Sequence, residues 1–486
     1  MGIAMGIFSL IVGGFFYATY IFAERKRRLG DFPGPFALPI IGNLYDPSTI
    51  SILTYIKKMS QRYGKIFVFW AGPSPMLVVT EPRLARTILA DTATFVKGPD
   101  YTEKFGLVFG DGLVTSTGKK HKEDRACLGK YFIQSKVTDH IPLLMAETHR
   151  ALNEYIEPIV GQQVNLERFF HILALRIFGQ FSISKDYGSP GNRGIADTIN
   201  QSVKFGSHVV GRHIILNLPM SRIFPRVRKL IQKVQYLDSH LDDVIDERIS
   251  LIEQAGDPPD DILDALLAHA IPREKIRHHL RTLLSAGHDT TAFLGCYMAY
   301  LLSHHPDVQH EVKKEIGEVL DNGRLPLTSD RMKQLIYCRM VIQETLRLYT
   351  IIPFVNRVTT RDYKWVDTTL GHEKIIPKDT ILLIGLSTMN RDSNVWDNPY
   401  AFIPERFRDI QGHCSAKHGY MPFGYGSRTC IGNNLAMVEG LITLVILMTR
   451  YHLSPVCSFK PDIIAGISLV SRNGVVVRIE RDNTSH

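Results

Sequence analysis

Phe423-Gly424-Tyr425-Gly426-Ser427-Arg428-Thr429-Cys430-Ile431-Gly432 is the stretch on which the fold and chemistry of this chain turn. It opens onto a long apolar run, and the periodicity predicts a helix near 431–449. A Cys at a helix N-terminus lies in positive potential, among N–H groups without intrahelical partners. The Cys430 pKa should therefore be lowered and its thiolate stabilised. Gly426 allows a tight turn, and Gly432 removes a side chain where a flat group could lie against the helix. Arg428 offers a cation to an acidic substituent of that group. A haem held by one thiolate, with a propionate meeting Arg428, satisfies each of these choices. A lone Cys is more often a small buried hydrophobe, and for most of the others at 127, 296, 338, 414 and 457 that is the better reading.

The rest of the chain frames this loop. No CxxC pair occurs, which suits a reducing compartment and argues against a stapled or Cys-rich zinc fold. With 486 residues, 44% hydrophobic and 22% charged, the composition is globular, and a net charge of +9 is modest for the length, so nucleic acid is not an expected partner. Residues 1–23 carry no charge and are long enough to span a bilayer, and Glu24-Arg25-Lys26-Arg27-Arg28 follows, which predicts an uncleaved single-pass anchor with this side cytosolic. Residues 24–44, basic and containing Pro33, Pro35 and Pro39, are expected to form a semi-rigid hinge. Residues 45–486 would be one domain, mainly α with small β-sheets. Strands are expected near 65–70 and 76–80. Helices are expected near 120–134, 140–158, 164–181, 227–255, 273–305, 307–321, 333–349 and 431–449, with a strand pair over 467–479 turning at Asn473-Gly474.

On these residues the sequence closely resembles the cytochrome P-450 superfamily of haem-thiolate monooxygenases. The signature FxxGxRxCxG is matched at Phe423, Gly426, Arg428, Cys430 and Gly432. Glu344-Thr345-Leu346-Arg347 matches ExxR, the segment Asn398 to Phe407 supplies Arg406, and Ala286-Gly287-His288-Asp289-Thr290-Thr291 matches AGxDTT. The resemblance covers essentially the whole chain. It implies the P-450 fold preceded by one transmembrane helix, with haem b (iron protoporphyrin IX) as cofactor and Cys430 as the axial ligand of its iron.

The resemblance also implies roles. Glu344 and Arg347 share a helix face, and Arg406 would join them in a structural triad holding the Cys loop. Asp289 and Thr290 would be catalytic. Polar side chains in mid-helix are costly unless bonded, and a Thr bonded to the carbonyl a turn earlier would open the helix and leave a polar notch for proton delivery. Arg428, Arg125 and Arg357 would meet the propionates. His121 would join them, standing where membrane-bound relatives usually carry Trp in a WxxxR pattern.

The implied reaction inserts one atom of O2 into a lipophilic substrate: a fatty acid, a sterol, or another lipid or xenobiotic. Its pocket would draw on loop 97–117, Ala286, Thr290, Ile351–Val355 and Ile464–Ser468. No flavin domain follows the Cys430 helix, so electrons would come from a separate NADPH-dependent reductase in the endoplasmic-reticulum membrane, with a small b-type cytochrome as a further donor. Two alternatives are a haem-thiolate isomerase or dehydratase acting on hydroperoxides, and a non-enzymatic membrane haem carrier or sensor. Retention of Asp289 and Thr290 speaks against both. Ala286 stands where some fatty-acid hydroxylases carry a Glu that esterifies the haem, which excludes that linkage here. His278-His279, His304-His305 and His310 are read as polar helix faces, Gly110-Asp111-Gly112 as a loop, and the sequon at Asn483 as unused.

Overall fold

The computed structural model describes residues 12, 16, 19–188, 190–215, 220–255, 260–269, 271–321, 323–366, 372–408 and 419–482. The helices that frame the site are α1 (Ile52–Tyr63), α2 (Pro82–Ala90), α3 (Gly118–Gly129), α4 (Ile141–Tyr155), α5 (Leu166–Ile183), α6 (Arg193–Ile215), α7 (Pro225–Ala255), α8 (Arg273–His304), α9 (Pro306–Leu320), α10 (Ile336–Leu348) and α11 (Asn433–Arg450). The strands include β1 (Ile66–Ala71), β2 (Ser74–Val79), β3 (Phe95–Val96), β4 (Gln163–Asn165), β5 (Phe354–Thr359), β6 (Ile381–Gly385), β7 (Tyr451–Ser454), β8 (Ile463–Ala465), β9 (Leu469–Ser471) and β10 (Val476–Arg481), and a separate hairpin pairs Tyr363–Val366 with Glu373–Ile376.

Among the described residues the largest sheet runs β1-β2-β6-β5-β3. All six residues of β1 are buried because both faces are covered. Tyr55, Ile56 and Met59 of α1 pack with Phe67 and Phe69 on one face, while Phe22, Leu29 and Phe32 pack with Val68 and Trp70 on the other. Central helix α8 is buried along most of its length and lies closely on α5. A Cβ at Gly287 would sit 2.4 Å from the Phe178 ring, so only glycine permits this approach.

Several expectations change. The strand pair around Asn473-Gly474 does not form: β9 pairs with β8, whereas β10 pairs with β4 and β7. The reason is Asn165, whose side-chain oxygen accepts from Val475 N and draws the chain after Gly474 onto β4. The helix expected over 120–134 ends at Gly129, and that over 333–349 starts at Ile336 after a break at Leu335. His279 is buried rather than on a polar face, with Nε2 3.5 Å from Asp124 Oδ1.

The anchor expected over 1–23 lies largely outside the described residues, as do Cys414 and the sequon at Asn483. Among the described residues no helix is long and apolar enough to cross a membrane. The basic, Pro-rich stretch lies against the sheet: Phe22 is 4.5 Å from Trp70 between ring centres, Arg25 Nη1 donates to Pro73 O at 2.9 Å, and Val68 N donates to Pro33 O at 2.8 Å.

Candidate functional site

The Cys430 loop is pinned by its own backbone. Gly424 N donates to Met421 O at 3.0 Å, and Cys430 N donates to Phe423 O at 2.8 Å, so Phe423 fixes where the Cys stands. Gly426 has φ of +74°, and a Cβ there would meet Leu89 O at 2.8 Å and Ala90 Cα at 2.9 Å at the end of α2. Any side chain at 426 would push the loop off that helix. A Cβ at Gly432 would meet only the Phe132 ring at 4.0 Å, so the surface in front of it is open.

Cys430 presents an exposed face, while the protein crowds its other sides. Burial pushes its thiol pKa up, against the opposing pull of the Gly432 N–H and the Arg125 charge. The expected lowering is thus reversed: the helix-end and cationic effects are present, but desolvation of the thiolate exceeds them.

Around this thiol lies a set of basic side chains without acidic partners. Arg428 Nη1 donates to Ser116 O at 2.8 Å and Arg357 Nη1 to Asn356 O at 2.8 Å. Burial pushes the Arg428 pKa down to about 10, helped by Arg357 and Arg125. Burial, then Arg428, Lys97 and Arg125, push His121 to about 4. Lys97, which donates to Val114 O, is also driven far down by burial and by Arg428 and Arg357. Among the described residues no carboxylate pairs with any of these five side chains. The predicted residues His121, Arg125, Arg357 and Arg428 are therefore brought together, and Lys97 is an addition.

Glu344 and Arg347 are both 0% exposed. Arg347 donates to Glu344 at 2.6 and 2.7 Å, and Arg406 Nε reaches the same carboxylate at 3.3 Å. Arg347 also donates to Asn390 O, Pro399 O and Ala401 O. Tyr420, three residues before Phe423, donates its hydroxyl to Gln343 O at 3.0 Å, which links α10 to the Cys loop. Removing one partner of such a buried pair costs about 3–5 kcal/mol.

A family model described as Cytochrome P450 matches residues 32–475. The chain belongs to the cytochrome P450 family. It is 27% identical over 487 aligned residues to Cytochrome P450 4d2 of Drosophila melanogaster (93% of this chain, 94% of that one). It is 26% identical over 456 residues to Cytochrome P450 2A5 of Mus musculus (89% of each). It is 28% identical over 409 residues to Protein LUTEIN DEFICIENT 5, chloroplastic, of Arabidopsis thaliana (80% of this chain, 67% of that one).

P450s bind haem through a cysteine thiolate and act as monooxygenases. The residues of this P450 fit that cofactor: an accessible thiol, an open surface at Gly432, and five basic side chains, three of them arginines, suited to two propionates. Helix α8 carries Asp289 and Thr290. Thr290 Oγ1 donates to Ala286 O at 2.7 Å, as expected. The helix runs continuously from Arg273 to His304 through this position. Asp289 and Thr290 do not bond each other. Asp289 is 5% exposed and turns toward Ser468, whose hydroxyl donates to Oδ2, and toward His171, whose Nε2 is 3.5 Å from Oδ1. Burial favours its neutral form, but His171, His288 and Ser468 together hold its pKa below the ordinary value.

A cavity of about 40 Å³ among Tyr101, Phe105, Gly211, Phe354 and Ile467 lies within the region expected to receive substrate, and its lining is mostly apolar. A larger space, about 590 Å³, borders Met340, Phe407 and Asn434 instead. It adjoins Arg408, beyond which lie residues outside the described set.

Glu439 of α11 is a further buried acid of this P450 that sequence reasoning did not single out. Burial pushes its pKa from 4.5 up to about 8, opposed by the neighbouring Thr291 hydroxyl. Between these values the folded state holds a proton that the unfolded chain has lost. Stability therefore declines as pH rises from about 5 to about 8 and levels off above, at about 1.4 kcal/mol per pH unit. Glu439→Gln should flatten this slope, measured as Tm against pH. An unchanged slope in the variant would remove Glu439 as its source.

Proposed function

We propose that this chain is a membrane-anchored monooxygenase in which Cys430 ligates the haem iron and a separate NADPH-dependent reductase supplies electrons. A small b-type cytochrome is a further donor. Its substrate is a lipophilic molecule of the fatty-acid, sterol or xenobiotic kind. The observation that carries the reading is the accessible Cys430 thiol beside a cluster of basic side chains that have no acid of their own.

Bound haem supplies O2 activation and oxidation of an unactivated C–H bond. The protein does the rest. Phe423 and Gly426 fix the thiolate, and the Gly432 N–H directed at its sulfur favours the charged form. Arg125, Arg357, Arg428, His121 and Lys97 receive the propionates, whose negative charge raises the pKa values that burial has lowered. Glu344, Arg347 and Arg406 brace the loop. Thr290 presents a hydroxyl beside the reacting centre, and Asp289 relays protons to it. Tyr101, Phe105, Phe354 and Ile467 support an apolar substrate by excluding water.

Domain limits of 1–23, 24–44 and 45–486 describe the anchor, the basic Pro-rich segment and the catalytic unit, with the last on the cytosolic side of the endoplasmic reticulum. Exposed Phe16, Tyr20, Phe36, Ile40 and Ile41 near the N-terminus support a lipid-facing surface. Deleting residues 1–28 should weaken membrane association without preventing haem uptake. A truncated protein that sediments with membranes as tightly as the full chain would remove the anchor reading.

Substrate is tested by absorbance difference titration of the ferric protein against fatty acids and sterols, followed by NADPH consumption with added reductase. Substrate-dependent NADPH and O2 consumption supports a monooxygenase. Turnover of hydroperoxides without NADPH would select an isomerase or dehydratase instead.

A further inference from the structure

His171 on α5, which lies outside the sequence signatures, forms a buried cluster with His288 and Asp289 of α8. Their exposures are 4%, 0% and 5%. His171 Nδ1 lies 2.8 Å from Glu167 O. A carbonyl oxygen only accepts, so Nδ1 carries the hydrogen. In the neutral ring Nε2 is then a lone pair, and it faces Asp289 Oδ1 at 3.5 Å. An ionised Asp289 opposite a neutral His171 would set two acceptors against each other in a dry interior. It would also leave Oδ1 without any donor, since Ser468 serves Oδ2. One further proton between the two groups removes both problems.

We infer that His171 and Asp289 share a stored proton, resting on Nε2 as an imidazolium, and that His171 is the positioning residue from which Asp289 is reloaded. This rests on the reading of Asp289 as the proton relay to Thr290. The transfer breaks the Nε2–H bond and forms Oδ1–H, so the ion pair becomes a neutral acid and a neutral imidazole. Solvent protons restore the pair.

The surroundings favour this assignment of charge. His288, 5.1 Å from His171 between ring centres, has no partner for either nitrogen, and burial, then the His171 charge, push its pKa to about 3. It stays neutral and does not repel the imidazolium. On α5, Glu167 is occupied by Lys204 of α6, so neither competes for the site. Cys296 and Tyr297 of α8 are held neutral mainly by burial. The turn between β8 and β9 contributes Ser468, an uncharged donor. His171 is thus the cation opposed to Asp289.

The test is infrared pH-difference spectroscopy of the holoenzyme, with Asp289→Asn used to assign the carbonyl stretch of a protonated Asp289. In the wild type this band should be missing at pH 7 and grow only on strong acidification. His171→Gln keeps an N–H donor but cannot hold an ionisable proton. Burial then dominates, and the Asp289 band should appear at pH 7. Product per NADPH in this variant should fall on the order of tenfold, below the range for a direct acid–base group, with a larger solvent isotope effect on product formation. An Asp289 band that is identical in wild type and variant overturns the shared proton. If His171→Gln takes up no haem, the wild type decides alone, since a band already present at pH 7 overturns the proposal. An unchanged rate of O2-dependent turnover in Asp289→Asn overturns the relay to Thr290, while the infrared result still decides the pairing.

Discussion

Cys430→Ser should abolish the thiolate-type absorbance of the reduced carbon-monoxide complex and all NADPH-dependent product formation. The backbone bond from Cys430 N to Phe423 O does not depend on the side chain, and neither does the turn at Gly426. Serine should therefore preserve the loop and change only the atom it presents. A hydroxyl is far less acidic than a thiol, and the burial that already raises the Cys430 pKa would keep serine protonated and neutral. Far-ultraviolet circular dichroism should stay unchanged while the absorbance band disappears. Retention of the band in Cys430→Ser would mean that another side chain holds the iron.

Thr290→Ala should separate electron consumption from product formation. The hydroxyl proton is engaged by Ala286 O, which leaves the oxygen free to accept a further hydrogen bond. Because α8 is continuous through this position and alanine is the stronger helix former, haem content and substrate affinity should be nearly intact. Electron delivery does not need the hydroxyl, so NADPH oxidation should continue. Product should fall on the order of 10- to 100-fold, at or below the low end for one acid–base group, with hydrogen peroxide rising to balance the reductant. Thr290→Ser should restore most of the product. Asp289→Asn should instead slow O2-dependent turnover. The measurement is product and peroxide formed per NADPH. Full coupling in Thr290→Ala would leave Thr290 a helix-shaping residue only.

The parts of the site legible in the sequence are those whose spacing is short. Phe423 to Gly432 spans ten positions, and Glu344 with Arg347 is one helical turn, so a motif records each geometry. Arg406 comes from a separate segment and was placed by resemblance. His171 and Glu439 escaped, and Lys97 and Ser468 were read only as pocket lining, because their partners are remote: Ser468 meets Asp289 across 179 positions, and nothing local marks the contact. The direction of the Cys430 pKa failed for a related reason. A helix end and an arginine can be read from residues nearby, whereas desolvation depends on everything packed around the thiol. Helix α6 was missed because Gly206 and Gly211 weaken its pattern. The structure explains Gly211, where a Cβ would lie 2.5 Å from the carbonyl carbon of Gly466.

That same contact makes α6 and the turn between β8 and β9 a lever. Ser207 on α6 meets Ser468 at 3.2 Å between hydroxyls, and its side-chain oxygen also accepts from Ile467 N at 3.1 Å. Ser468 in turn holds Asp289. The cavity wall that includes Gly211, Gly466 and Ile467 belongs to the same assembly. A molecule that wedges this wall apart strains the Ser207–Ser468 joint, and through it the hydrogen bond on the Asp289 carboxylate. If Asp289 relays protons as proposed, occupancy of the apolar space and readiness of the acid would be thermodynamically linked. A guest of the wrong girth would spoil the proton supply before any bond is oxidised, so discrimination can act on timing as well as on fit.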